Sequence, residues 1–111
     1  MDQERRRVPR YPFIATAEVI AESSGAKIAA RVSELSLYGC FLELGEPLEQ
    51  GAKARVKIYA EGRFFEAQAN IVYSQPKKGM GVSFLNVYPH YQNVLKRWLL
   101  EAARTKLEKQ G

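Results

Sequence analysis

Ala52-Lys53-Ala54-Arg55-Val56-Lys57-Ile58-Tyr59 decides the fold. Lys53, Arg55 and Lys57 alternate with Ala54, Val56 and Ile58. In an extended segment this puts the cations on one face and the apolar side chains on the other. A strand with one apolar and one charged face belongs in an antiparallel sheet that is buried on one side and wet on the other.

The same reading extends in both directions. After 52–59, Glu61-Gly62 supplies a hairpin turn to a long strand over 64–74. Lys77-Lys78-Gly79 turns that strand into another over 80–85. Upstream, Gly45-Glu46-Pro47 and Gln50-Gly51 interrupt the chain, and before them 39–44 reads as a strand with Cys40, Leu42 and Leu44 on one face. A further strand covers 27–33, and Ser23-Ser24-Gly25 turns into it. The first strand begins at Phe13, with Phe13, Ala15, Ala17 and Val19 directed at the core. Beyond Pro89 the period changes to that of a helix, predicted over 89–108, whose Tyr91-Leu95-Trp98 stripe docks on the sheet. Six short strands and one terminal helix predict a closed six-stranded antiparallel β-barrel with a C-terminal α-helix. Closure removes the free sheet edges. The expected organisation is an arginine-rich arm at 1–12, a barrel at 13–86 and the helix region at 87–111, all in one domain.

The 111 residues are 46% apolar and 26% charged, an ordinary globular composition, with a net charge of +5. The excess lies at the ends. Residues 1–10 carry four arginines against Asp2 and Glu4, and the body between residues 11 and 87 is balanced. A local anion site fits this pattern better than a basic face for nucleic acid. Asp2 is the only aspartate, His90 the only histidine and Cys40 the only cysteine. These residues build neither a Ser-His-Asp triad nor a Cys/His zinc site, and no phosphate loop ending in Lys-Ser/Thr is present. The chain is therefore read as a non-enzyme. Cys40 lies in an apolar run and reads as a buried structural thiol, and His90 as a solvated surface residue. No window approaches the run of about 18 apolar residues that spans a bilayer. A soluble cytoplasmic protein without membrane insertion is expected.

Two stretches remain. Arg5-Arg6-Arg7-Val8-Pro9-Arg10 places four guanidinium groups ahead of the first strand. Pro9 and Pro12 disfavour helix there, so the arm is expected to be extended and mobile, with Arg10 held close to the barrel. Guanidinium groups pair with phosphate oxygens and guanine edges, and their planes stack on bases. Glu34-Leu35-Ser36-Leu37-Tyr38-Gly39 places a carboxylate, a hydroxyl and a glycine at a junction between strands. Taken alone it reads as a turn, with Gly39 at a positive φ. Together the two stretches predict a receptor for a guanine nucleotide that carries phosphates.

These motifs resemble those of the PilZ family, bacterial receptors for cyclic di-GMP. That family is marked by R-x-x-x-R, often with a preceding arginine, and later by (D/N)-x-S-x-x-G. Arg6 and Arg10 match the arginine pair, and Arg5 the extra arginine before it. Ser36 and Gly39 match the hydroxyl and glycine of the second motif. Gly79-Met80-Gly81-Val82-Ser83-Phe84 is also similar to the family's last strand. The resemblance implies the same six-stranded barrel with a C-terminal helix. It also implies cyclic di-GMP as ligand, held by Arg5, Arg6, Arg10, Glu34, Ser36 and Gly39, with no cofactor or metal. The extra arginine goes in the family with a stacked ligand dimer, hence two cyclic di-GMP per chain. Glu34 departs from the family, where Asp or Asn stands. Its carboxylate keeps the acceptor oxygens for guanine N–H groups but moves them outward by a methylene.

The mechanism expected is that the ligand draws the arm over the barrel and so creates a surface for an unidentified downstream protein. Two other classes compete. One is an adaptor of this fold that binds no nucleotide. The other is a small-barrel binder of single-stranded nucleic acid using Tyr59 and Phe64 beside Lys57 and Arg63, although such aromatics more often pack across strands.

Overall fold

The computed structural model describes residues 8–110. Alternating burial builds six strands: β1 Tyr11–Ala21, β2 Lys27–Leu35, β3 Gly39–Glu43, β4 Lys53–Ala60, β5 Arg63–Gln75 and β6 Gly79–Phe84. The helix α1 spans Pro89–Gln110. Every strand pairing is antiparallel, and the strands close into a barrel in the order β1-β2-β3-β6-β5-β4. The predicted barrel and terminal helix are both present. In β4, Ala54, Val56 and Ile58 are buried while Lys53 and Arg55 face water, as their alternation requires.

The interior is filled from all six strands, with Val19, Val32, Leu42, Val56, Ile58 and Phe65 among the buried side chains. The helix closes one end. Trp98, fully buried, packs its ring 5.4 Å from that of Phe13 and 6.5 Å from that of Phe65. Leu95 and Val94 are buried beside it, and Tyr91 is half-buried against Phe65. At the other end Leu44 and Leu48 pack on the core from the β3–β4 connection, whose Gly51 N–H donates to the Ile71 carbonyl at 2.8 Å.

Element limits differ from the sequence expectation where pairing extends a strand. β1 starts at Tyr11, two residues into the segment assigned to the arm, because Tyr11 and Pro12 pair with Leu35 and Glu34. Pro12 has no N–H to offer a ladder. The register shifts between Pro12 and Ala15, an irregularity that accommodates a proline in a strand. β2 likewise continues to Leu35, whose side chain is fully buried.

Cys40 is buried within β3, and burial pushes its thiol up to about 12. The folded state favours the neutral thiol, so this contribution to stability is complete below the ordinary cysteine range, near 9, and is lost as pH rises towards 12. A thiol-reactive dye at pH 8 is expected to label Cys40 only after denaturant is added. Labelling of the native protein at the rate of a free thiol would show that β3 opens readily.

Candidate ligand-binding recess

Strand pairing brings the two arginine- and serine-bearing segments together. Because Tyr11 lies opposite Leu35 and Pro12 opposite Glu34, Arg10 emerges beside the end of β2. Ser36 begins the loop that turns β2 into β3, and Gly39 opens β3. A recess of about 110 Å³ on the outer wall of the barrel is lined by Arg10, Glu34, Ser36 and Gly39. Four of the six predicted site residues thus line one concave surface. Arg5 and Arg6 lie outside the described residues.

The loop is organised by Ser36. Its hydroxyl accepts from the Tyr38 and Gly39 backbone N–H groups, each at 3.2 Å, and donates to the Gly39 carbonyl at 3.2 Å. The Ser36 N–H also donates to the Gly39 carbonyl at 2.8 Å. One donor and two lone pairs are all that a hydroxyl has. Ser36 therefore shapes the turn, and a ligand bond to it has to replace one of these. The loop is tied to β6 by the Phe84 N–H, which donates to the Tyr38 carbonyl at 2.8 Å.

Gly39 is needed for a reason other than the positive φ expected of a turn glycine, and it is not among the residues with positive φ. A Cβ on Gly39 would overlap the Val82 carbonyl oxygen of the neighbouring β6. The requirement is close approach of two backbones, which glycine alone permits.

Further lining comes from residues the motifs do not include. Phe41, Tyr73, Gly81 and Ser83 complete the wall. Phe41 and Tyr73 both sit opposite Gly81 in the register, on its two sides. Their ring centroids are 6.2 Å apart, with planes at 29°. The Tyr73 ring lies directly over Gly81, where any Cβ would collide with it. A glycine inside a strand pattern signals such an approach, so Gly81 was the available clue. Tyr73 is 37% exposed and offers a flat apolar surface in the recess that Glu34 and Arg10 also line. Cation, acceptor and ring on one wall can pair with phosphate, take N–H donors and stack a base.

Tyr59 and Phe64 lie elsewhere. They oppose one another across β4 and β5 with centroids 6.1 Å apart, and Phe64 also meets Tyr91 of α1 at 5.6 Å. Their rings pack on one another.

The chain matches the PilZ domain model over residues 4–101. Among solved structures it is similar to YcgR from Escherichia coli in complex with c-di-GMP, with a TM-score of 0.76 and 24% identity over 96% of this chain and 49% of that one. It is similar to the PilZ domain of YcgR with c-di-GMP, with a TM-score of 0.75 and 20% identity over 96% of this chain and 97% of that one. The inhibitor of motility MotI/DgrA from Bacillus subtilis gives a TM-score of 0.71 and 22% identity over 95% of this chain and 52% of that one. The chain thus spans about half the length of YcgR and of MotI/DgrA. No curated protein sequence matches it. The family match covers both motifs and the whole barrel: the chain belongs to the PilZ domain family.

Proposed function

We propose that this protein is a receptor for cyclic di-GMP that binds the nucleotide on the outer barrel wall. The observation that carries this reading is the recess itself, which joins Arg10 of the first motif to Glu34, Ser36 and Gly39 of the second. The YcgR domain of the same fold is described with c-di-GMP, which supports the same ligand class here. A recess of about 110 Å³ takes a ring or a base edge, not a whole dinucleotide. The remainder of the ligand is left to contacts outside the recess, a role the family resemblance gives to Arg5 and Arg6. Closing the arginine segment over the ligand creates a composite surface of ligand, arm and barrel, and a downstream protein reads that surface. The stacked-dimer stoichiometry of two ligands per chain belongs to the same proposal, with Arg5 as the added contact.

Calorimetric titration with cyclic di-GMP, with GTP and a short oligonucleotide as controls, tests the reading. Selective binding at micromolar concentration or tighter supports a receptor. A folded protein that ignores the dinucleotide is instead the nucleotide-independent adaptor. Equal uptake of the oligonucleotide, falling steeply with salt, marks a nucleic-acid binder.

Glu34→Asp is expected to keep or raise the affinity. Glu34 is exposed at the end of β2, with Pro12 and Phe41 opposite it, so shortening it by a methylene disturbs no buried contact. Good bidentate contacts carry about 1–3 kcal/mol of base discrimination. A clear loss of affinity in this variant would show that the longer carboxylate is matched to its ligand.

A further inference from the structure

The recess is lined by a polar residue that neither motif contains, and a second lies opposite it in the neighbouring strand. Ser83 of β6 is 6% exposed, the one buried polar residue among the described residues, and it lines the recess. It lies opposite Gly39 on one side and opposite Asn70 of β5 on the other. Gly39 has no side chain to cover Ser83 from its opposite position in β3. The side-chain hydrogen bonds of the neighbouring loop run through Ser36, and none among the described residues involves Ser83. The Asn70 Oδ1 atom is buried and has no hydrogen-bond partner among the described residues. Buried polar atoms are normally paired, because an unpaired one keeps its desolvation cost uncompensated. Two neighbouring groups with unused hydrogen-bonding capacity, one of them facing the recess, point to something that completes them from outside.

We infer that Ser83, backed by Asn70, is a specificity-determining contact for the exocyclic amino group of the guanine that enters the recess. This rests on the cyclic di-GMP reading and names a contact within it. The Ser83 hydroxyl and Asn70 Oδ1 both accept hydrogen bonds, and the Glu34 carboxylate on the same recess accepts only. Ser83 and Glu34 therefore offer acceptors to the recess, and Arg10 offers donors. Guanine presents N1–H and the N2 amino group on one edge and meets acceptors there. A base without the N2 amino group leaves one of them unanswered.

The test compares cyclic di-GMP with cyclic di-IMP, which lacks only the N2 amino groups, on the wild type and on Ser83→Ala. The wild type is expected to prefer cyclic di-GMP. Ser83→Ala is expected to narrow that preference about fivefold to tenfold, the loss of one hydrogen bond. Its unfolding temperature should be unchanged or slightly higher, because an unpaired hydroxyl has been removed. Ser83→Thr retains the hydroxyl and should restore the preference. A preference left within twofold of the wild type in Ser83→Ala overturns the inference, as does an equal loss for both ligands. If the wild type ignores cyclic di-GMP altogether, the receptor reading falls and this contact with it. Wild-type binding with an unaltered preference in the variant removes the contact alone.

Discussion

Replacing Arg10 with alanine is expected to leave the barrel folded and to abolish useful affinity for cyclic di-GMP. Arg10 is exposed and precedes β1, so its removal takes nothing from the core. It is also the described residue of the first motif that lines the recess. A guanidinium fork makes two parallel charge-assisted bonds to phosphate or to a guanine edge, and each is worth roughly 1.5–3 kcal/mol. Losing the pair removes about 3 kcal/mol or more, at least a hundredfold in affinity. Arg10→Lys keeps the charge without the planar fork and should recover only part of the loss. Arg6→Ala should behave like Arg10→Ala. Titration of each variant, with circular dichroism to confirm the fold, checks the expectation. Wild-type affinity in Arg10→Ala would place the ligand somewhere other than this recess.

Gly39→Ala is expected to be among the most damaging small substitutions in the barrel. The added methyl meets the Val82 carbonyl oxygen, a backbone atom that cannot swing aside as the tip of a side chain can. Relief requires β3 to separate from β6 at the point where the loop is tied to Phe84 N–H through the Tyr38 carbonyl. Overpacking alone costs about 1–3 kcal/mol. The strained ladder adds to it, so a loss of about 3 kcal/mol is expected, a fall in Tm of roughly 10–20 °C for a domain of this size. Affinity should drop as well, since the Ser36 turn moves with Gly39. Thermal unfolding decides the matter. A variant with wild-type Tm would mean that the two strands are held farther apart than described.

The two variants separate what could be read locally from what could not. Gly39 was visible as part of a motif, but the reason assigned to it was a positive φ. The actual reason involves Val82, more than forty residues away in the chain, and became apparent only when β3 was seen beside β6. Arg10 was legible as a guanidinium near the barrel. Its place beside Glu34 depends on the Pro12–Glu34 pairing and on a β1 that begins earlier than the prolines suggested. Tyr73 escaped notice because it looks like an ordinary strand residue, and Gly81 and Ser83 were read only as members of the last strand, with no part in the site. The recess they help to line exists only where β5 and β6 come beside β2 and β3.

By itself the sequence determined the six strands, the helix with its buried Leu95 and Trp98, and the residue types that suit a phosphate-bearing guanine. All of these follow from periodicity, turn chemistry and side-chain chemistry, which act over a few neighbouring residues. The tertiary structure alone decided that β6 lies beside β3, that Ser36 uses its hydroxyl on its own loop, and that Ser83 lines the recess with Asn70 opposite it in β5. Those features depend on register between distant segments. Register is selected by the burial of whole faces when the barrel closes, and no local stretch of the chain carries that information.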